Sequence, residues 1–105
     1  MTAGVVSDAS AESLAGVFKA LGAPTRVKLL SMVAAAPGAE ACICDMTAPV
    51  GLSQPTVSHH MRLLVEAGLV TREQRGRWAH FRIVPGALAA VAFALQPAGS
   101  ATRES

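Results

Sequence analysis

The chain contains no apolar run approaching the ~20 residues needed to cross a bilayer. It also lacks a basic N-terminal stretch followed by a hydrophobic one, so a secretion signal is not expected. No internal repeat or low-complexity linker is present. Several enzyme signatures are missing as well: there is no Cys-x-x-Cys, no βαβ pattern, no glycine loop for phosphate and no convergent acid–base pair. A small dithiol reductase, the enzyme class worth weighing, is therefore disfavoured, and the chain is expected not to be an enzyme. Charge is scarce at 15%, whereas hydrophobic residues make up 51% of 105 positions. Both ends, "MTAGVVSDAS" and "QPAGSATRES", are small and polar without periodicity. Frayed tails are expected at 1–9 and 97–105, leaving one domain over 10–96. So small a domain with so much apolar surface is expected to hide part of it in a second subunit. The expected setting is the cytoplasm. In a reducing compartment, the two cysteines of "EACICDM" suggest a metal or redox site more than a crosslink.

The net charge of +2 is unevenly spread. Five of the nine basic residues (Arg62, Arg72, Arg75, Arg77 and Arg82) fall within 21 positions, opposed there only by Glu66 and Glu73. A polyanion suits such a segment, although a solvated charged face would look the same.

Hydrophobic spacing predicts a first helix carrying Leu14, Val17, Phe18 and Leu21, with Ser10 as N-cap and Gly22 as stop. A second helix begins with Pro24 in its first turn and turns Val27, Leu30 and Val33 inward. A very short helix over 44–50 should follow the cysteines, with Ile43, Met46 and Val50 sharing a face before Gly51 turns the chain. Ser53 or Gln54 then caps a fourth helix that has Pro55 in its first turn and buries Val57, Met61, Leu64 and Val65. "LVTRE" and "RWAHFRIV" alternate as strands around "QRG", where glycine suits a positive-φ hairpin position. The last segment, "PGALAAVAFAL", is a helix with almost no polar face, as expected of one buried between two protomers. Leu88, Val91, Ala92 and Leu95 form the candidate seam, with Leu14 of the first helix beside them.

The fold class expected is mainly α with a small β-hairpin, in the order four helices, two strands, one helix: a winged helix-turn-helix homodimer. The fourth helix buries one stripe and leaves Gln54, Thr56, Ser58, His59 and Arg62 toward solvent. Glutamine can pair with adenine and arginine with guanine, while hydroxyls serve bases or phosphates. Arg75 and Arg77 at the wing tip would hold the backbone or enter the minor groove. Double-stranded operator DNA is thus the expected partner. His60 is open between a DNA role and a half-buried, hydrogen-bonded core position.

"ALGAPTRVKLL", "EACICDM", "LSQPTVSHHMRLLVEAGLV" and "RWAHFRI" together resemble the arsenic-repressor (ArsR/SmtB-type) family of winged-helix metal sensors, over about residues 12–95. The resemblance implies a homodimeric repressor, joined through its first and last helices, that leaves its operator when a toxic metal or metalloid binds. Relatives sensing arsenite or antimonite are similar at the Cys-x-Cys-Asp core, which implies Cys42 and Cys44 as ligands. Trivalent arsenic is thiophilic, and soft thiolates select such ions. Two departures qualify the likeness. Where some relatives carry a third cysteine, this chain has Thr47, and its last helix lacks the carboxylates and histidines of zinc sensors. The N-terminal cysteines of cadmium and lead sensors are also missing. As(III) or Sb(III) is therefore the expected inducer, with no organic cofactor.

Other readings of the pair remain: a thiol redox switch, another soft-metal (Cd/Pb) sensor, or two small half-buried hydrophobes. A disulfide is expected least, being a strained ring at this spacing, and tetrahedral zinc would need two further ligands. Residues i and i+2 of a helix point roughly 200° apart, so one ion cannot bridge them there. Bridging requires Cys42 in extended chain with the helix starting at Cys44, or an unwound first turn. Pro49, unable to donate to Asp45, makes unwinding easier.

Overall fold

The computed structural model describes residues 5–97. Of the expected tails, 1–4 and 98–105 lie outside the described residues. Helix α1 spans Asp8–Ala20, and its N-cap is Ser7, whose Oγ accepts from the Ser10 backbone N–H at 3.1 Å. The expected cap, Ser10, thus lies inside the helix, because Ser7 already satisfies a free amide of the first turn.

Helix α2, Pro24–Ala35, begins at its proline as expected. It buries Leu29, Leu30 and Val33, while Val27 is 49% exposed. The inward stripe is centred on Leu29 and Val33, four residues apart, which rotates Val27 off the core. In α1, Phe18 is also exposed.

The segment after α2 departs most from expectation. Strand β1, Glu40–Cys42, precedes a 3₁₀ turn over Ile43–Asp45, and α3 covers only Thr47–Val50. The expected helix over 44–50 is therefore split. Pro49 explains the break: in α3 it occupies the first turn, where amides have no intrahelical acceptor, so its missing N–H costs nothing. Ile43 and Met46 are nonetheless fully buried and Val50 packs beside them, so the expected shared face holds.

Gly51, at φ 71°, ends α3, and α4 runs from Gln54 to Glu66. Its Val57, Met61 and Leu64 are fully buried, with Val65 half-buried at the edge. Strands β2 (Val70–Arg75) and β3 (Trp78–Ile83) form the hairpin, turning through Gly76 at φ 61°. The sheet has three strands rather than two, antiparallel in the order β1-β3-β2. The extra strand places Glu40 opposite Arg82 and Cys42 opposite His80.

The core lies between α2, α4, the 3₁₀ turn and one sheet face, where Ala79 and Phe81 are buried. Helix α5, Ala87–Ala94, buries none of its residues. Leu88 is 46%, Phe93 78% and Leu95 56% exposed.

Candidate functional site

Cys42 ends β1 with extended backbone (φ −82°, ψ 143°) and caps the 3₁₀ turn, its Sγ accepting from the Cys44 N–H at 3.1 Å. Because the turn begins only at Ile43, the two side chains converge instead of opposing one another across a helix. The Cα atoms are 5.1 Å apart and the sulfurs are joined as a disulfide. The expectation against a crosslink is corrected on this point: an extended residue followed by a tight turn brings the Cα atoms within the usual disulfide span of about 4.4–6.8 Å. Cys42 does lie in extended chain, the backbone condition expected for bridging, with the turn starting one residue early. Cys44 is exposed and Cys42 half-buried. Reduced, they offer two soft donors to a thiophilic ion, a fit for two of its coordination positions. Among the described residues no group of three His, Cys, Asp or Glu side chains could hold a metal.

Ile43 and Met46, inside and just after the turn, are rooted in the same core as Val57 and Met61 of α4. Ser53 caps α4, accepting from the Thr56 N–H at 3.4 Å and donating to Thr56 Oγ1 at 3.0 Å. Gln54, Thr56, Ser58, His59 and Arg62 are all exposed, as expected. Arg62 donates to His59 Nδ1 at 3.1 Å and lies 3.9 Å from Glu66. An open cleft separates α4 from the sheet, with Ser58, His59 and Arg62 on one wall and Arg72 and Phe81 on the other. Arg72 was not singled out as a site residue. Its place in the basic run and in the strand alternation was the available signal.

His60 is half-buried, and its Nδ1 lies 3.2 Å from Arg26 Nη1. Arginine only donates, so Nδ1 accepts and the ring proton sits on Nε2. Burial, then the Arg26 and His59 charges, holds the imidazole below its ordinary pKa. Arg26 also donates to the Ala20 carbonyl at 2.6 Å, tying the end of α1 to α4. His60 thus takes the packed, hydrogen-bonded place rather than an exposed one.

The wing arginines part company. Arg77 is exposed in the hairpin turn. Arg75 is paired with Glu40, and with Glu73 at 2.7 Å. Glu40 also accepts from Arg82 at 2.8 Å. Arg82 first, and then Arg75, hold the Glu40 carboxyl below the ordinary carboxylate range.

Comparison with known proteins agrees with this layout. The family described as "Bacterial regulatory protein, arsR family" matches residues 23–72. An uncharacterized HTH-type transcriptional regulator of Methanocaldococcus jannaschii is 37% identical over 73 residues, covering 70% of this chain and 80% of the relative. The chain belongs to the ArsR family. The arsenical resistance operon repressor of Escherichia coli is 35% identical over 69 residues, 66% of this chain and 57% of that repressor. The match thus spans little more than half of the repressor's length. Among solved structures, the AntR antimony-specific transcriptional repressor superposes with a TM-score of 0.68 at 30% identity, covering 86% of this chain and 80% of that one. As an ArsR-family winged helix-turn-helix protein, the chain is a transcriptional regulator and not an enzyme.

In this ArsR-family chain, α1 and α5 flank an apolar groove lined by Leu14, Val17, Ala87 and Val91, among others. Of the expected seam, Leu14 and Val91 are half-buried there, while Leu88, Ala92 and Leu95 face outward.

Proposed function

We propose that this ArsR-family protein is a cytoplasmic, homodimeric repressor that grips double-stranded operator DNA with free thiols and releases it when As(III) or Sb(III) joins Cys42 to Cys44. One observation carries the reading: the two sulfurs converge at the junction between β1 of the wing sheet and the turn leading into the helix-turn-helix. An arsenite hydroxide leaves as water for each S–As bond formed, taking the thiol proton, so two bonds release two waters. Joining the sulfurs fixes the turn at Cys42–Cys44 and, through the buried Ile43 and Met46, biases where α4 sits. A dimer must present two reading helices about 34 Å apart to successive major grooves, so a small rotation in each protomer spoils the match. Gln54, Thr56, Ser58, His59 and Arg62 would meet base edges and phosphates, with Arg77 and Arg75 at the flanking backbone. The exposed faces of α5, beside Leu14, supply the dimer seam.

A second reading rests on the disulfide itself. Peroxide can take two hydrogens from the dithiol, forming the S–S bond and two waters, and would join the same atoms. The two readings part in one experiment: operator release by arsenite, antimonite, cadmium and peroxide, measured on the wild type and on Cys42→Ser and Cys44→Ser. Release by the metalloids alone, lost in both variants, is the expected result. Release by peroxide alone favours the redox reading, and metalloid release that survives both substitutions removes the thiol pair from the mechanism.

A further inference from the structure

Strand β1 carries a charged residue as well as a thiol. In a strand, residues two apart project from one face. Glu40 and Cys42 therefore share a face of the sheet, and the cross-strand register adds Arg82 and His80 to it, with Glu73 opposite His80 and Arg75 opposite Trp78. This is the face away from the buried Ala79 and Phe81. On it, Glu40 contacts both Arg75 and Arg82, and Glu73 takes the remaining side of Arg75. Two carboxylates against two guanidiniums leave this patch with no net charge. Phosphate must compete with carboxylates already in place for both arginines. The structure in which these pairs form is also the one in which the sulfurs are joined.

We propose that Glu40 is a positioning residue coupling the thiol pair to the wing: with Cys42 and Cys44 bridged, it holds Arg75 and Arg82 on strand β1 and withholds them from DNA phosphate. The proposal rests on the thiol-bridged release described above and adds a second route to it. Bridging acts on the reading helix through the turn that follows Cys42, and on the wing through the strand that precedes it. A three-residue strand at the sheet edge, paired with β3, is held by few ladder bonds. Fixing the turn at its C-terminal end steadies the pairing that sets Glu40 against its arginines. With the thiols free, that strand is held less firmly and the arginines turn to phosphate.

The test uses the full-length protein with free thiols and with saturating arsenite. Operator affinity is measured over a series of salt concentrations for wild type, Glu40→Gln and Glu40→Asp. In Glu40→Gln, the affinity with free thiols is expected to stay near that of the wild type, while the fold-release by arsenite shrinks by about fivefold or more. The salt slope of its arsenite-bound form should steepen by about one to two phosphate contacts, a change that a merely structural role would not produce. Glu40→Asp, which keeps the charge, should retain most of the release and guards against a misfolded amide variant. Equal release and equal slopes in wild type and Glu40→Gln would overturn the role of Glu40 alone. A wild type that arsenite does not release would overturn both this proposal and the repressor reading beneath it.

Discussion

His59 and His60 are adjacent on α4 yet live in different surroundings. His59 is exposed beside Arg62, whereas His60 is packed against Arg26 and accepts its hydrogen bond. Protonating His60 would abolish that acceptor and set two cations together in a desolvated place. Its folded pKa is depressed below the ordinary 6.5. The unfolded chain therefore takes up the proton first: stability is full above about 6.5 and is lost as pH falls through that value toward the folded pKa. Thermal melts between about pH 7.5 and 5.5 should show this fall, and His60→Gln should flatten it. Glu40 behaves in the parallel sense at lower pH. Its pairing is fully present above the ordinary 4.5 and is lost as pH falls through the depressed folded value. These two contacts were not legible in the sequence for one reason. Arg26 meets His60 across 34 residues and Arg82 meets Glu40 across 42, so no local spacing betrays either. The Cys-x-Cys motif was legible as a candidate pair, because two thiols so close together are conspicuous at any fold. That its sulfurs would meet depended on a strand ending at Cys42, which the sequence pattern did not reveal.

Among the elements, α4 was the easiest to foresee: Val57, Met61 and Leu64 repeat at helical spacing behind a Ser cap and a first-turn proline. Strand β1 was the hardest, since three residues are too few to display alternation. In α2, Leu30 and Val33 face inward as expected but Val27 does not, because valine and leucine occur on more than one face of an apolar helix and only packing selects among them. Between α3 and α4 the chain turns at Gly51 in the left-handed region. Gly51→Ala should therefore destabilise the fold by about 1–2 kcal/mol, read from denaturant midpoints at unchanged m-value. Ser53→Ala removes the cap of the reading helix and should cost about 0.5–2 kcal/mol. It should also weaken operator binding beyond that of a surface control such as Lys28→Ala.

For the whole molecule, the exposed apolar α5 sets the expected assembly. Leu88, Phe93 and Leu95 project outward from a helix with no polar face, beside the groove it shares with α1. Burying that surface between protomers would remove it from water and set the distance between the two reading helices. Leu88→Glu combined with Leu95→Glu should give a folded monomer by sedimentation. Its operator affinity should fall by about 100-fold, as each half-site would then be bound alone. At this scale the composition was informative, because so apolar a last helix in so small a domain has few other uses. The mutual dependence proposed for thiols and DNA would likewise be a property of the assembly, and reciprocity tests it most directly. Operator affinity should be measured with and without saturating arsenite, and arsenite affinity with and without saturating operator, all on the full-length protein. The account predicts that each ligand weakens the other by one common factor, about 5- to 150-fold. Operator affinity that is unchanged by saturating arsenite would contradict it.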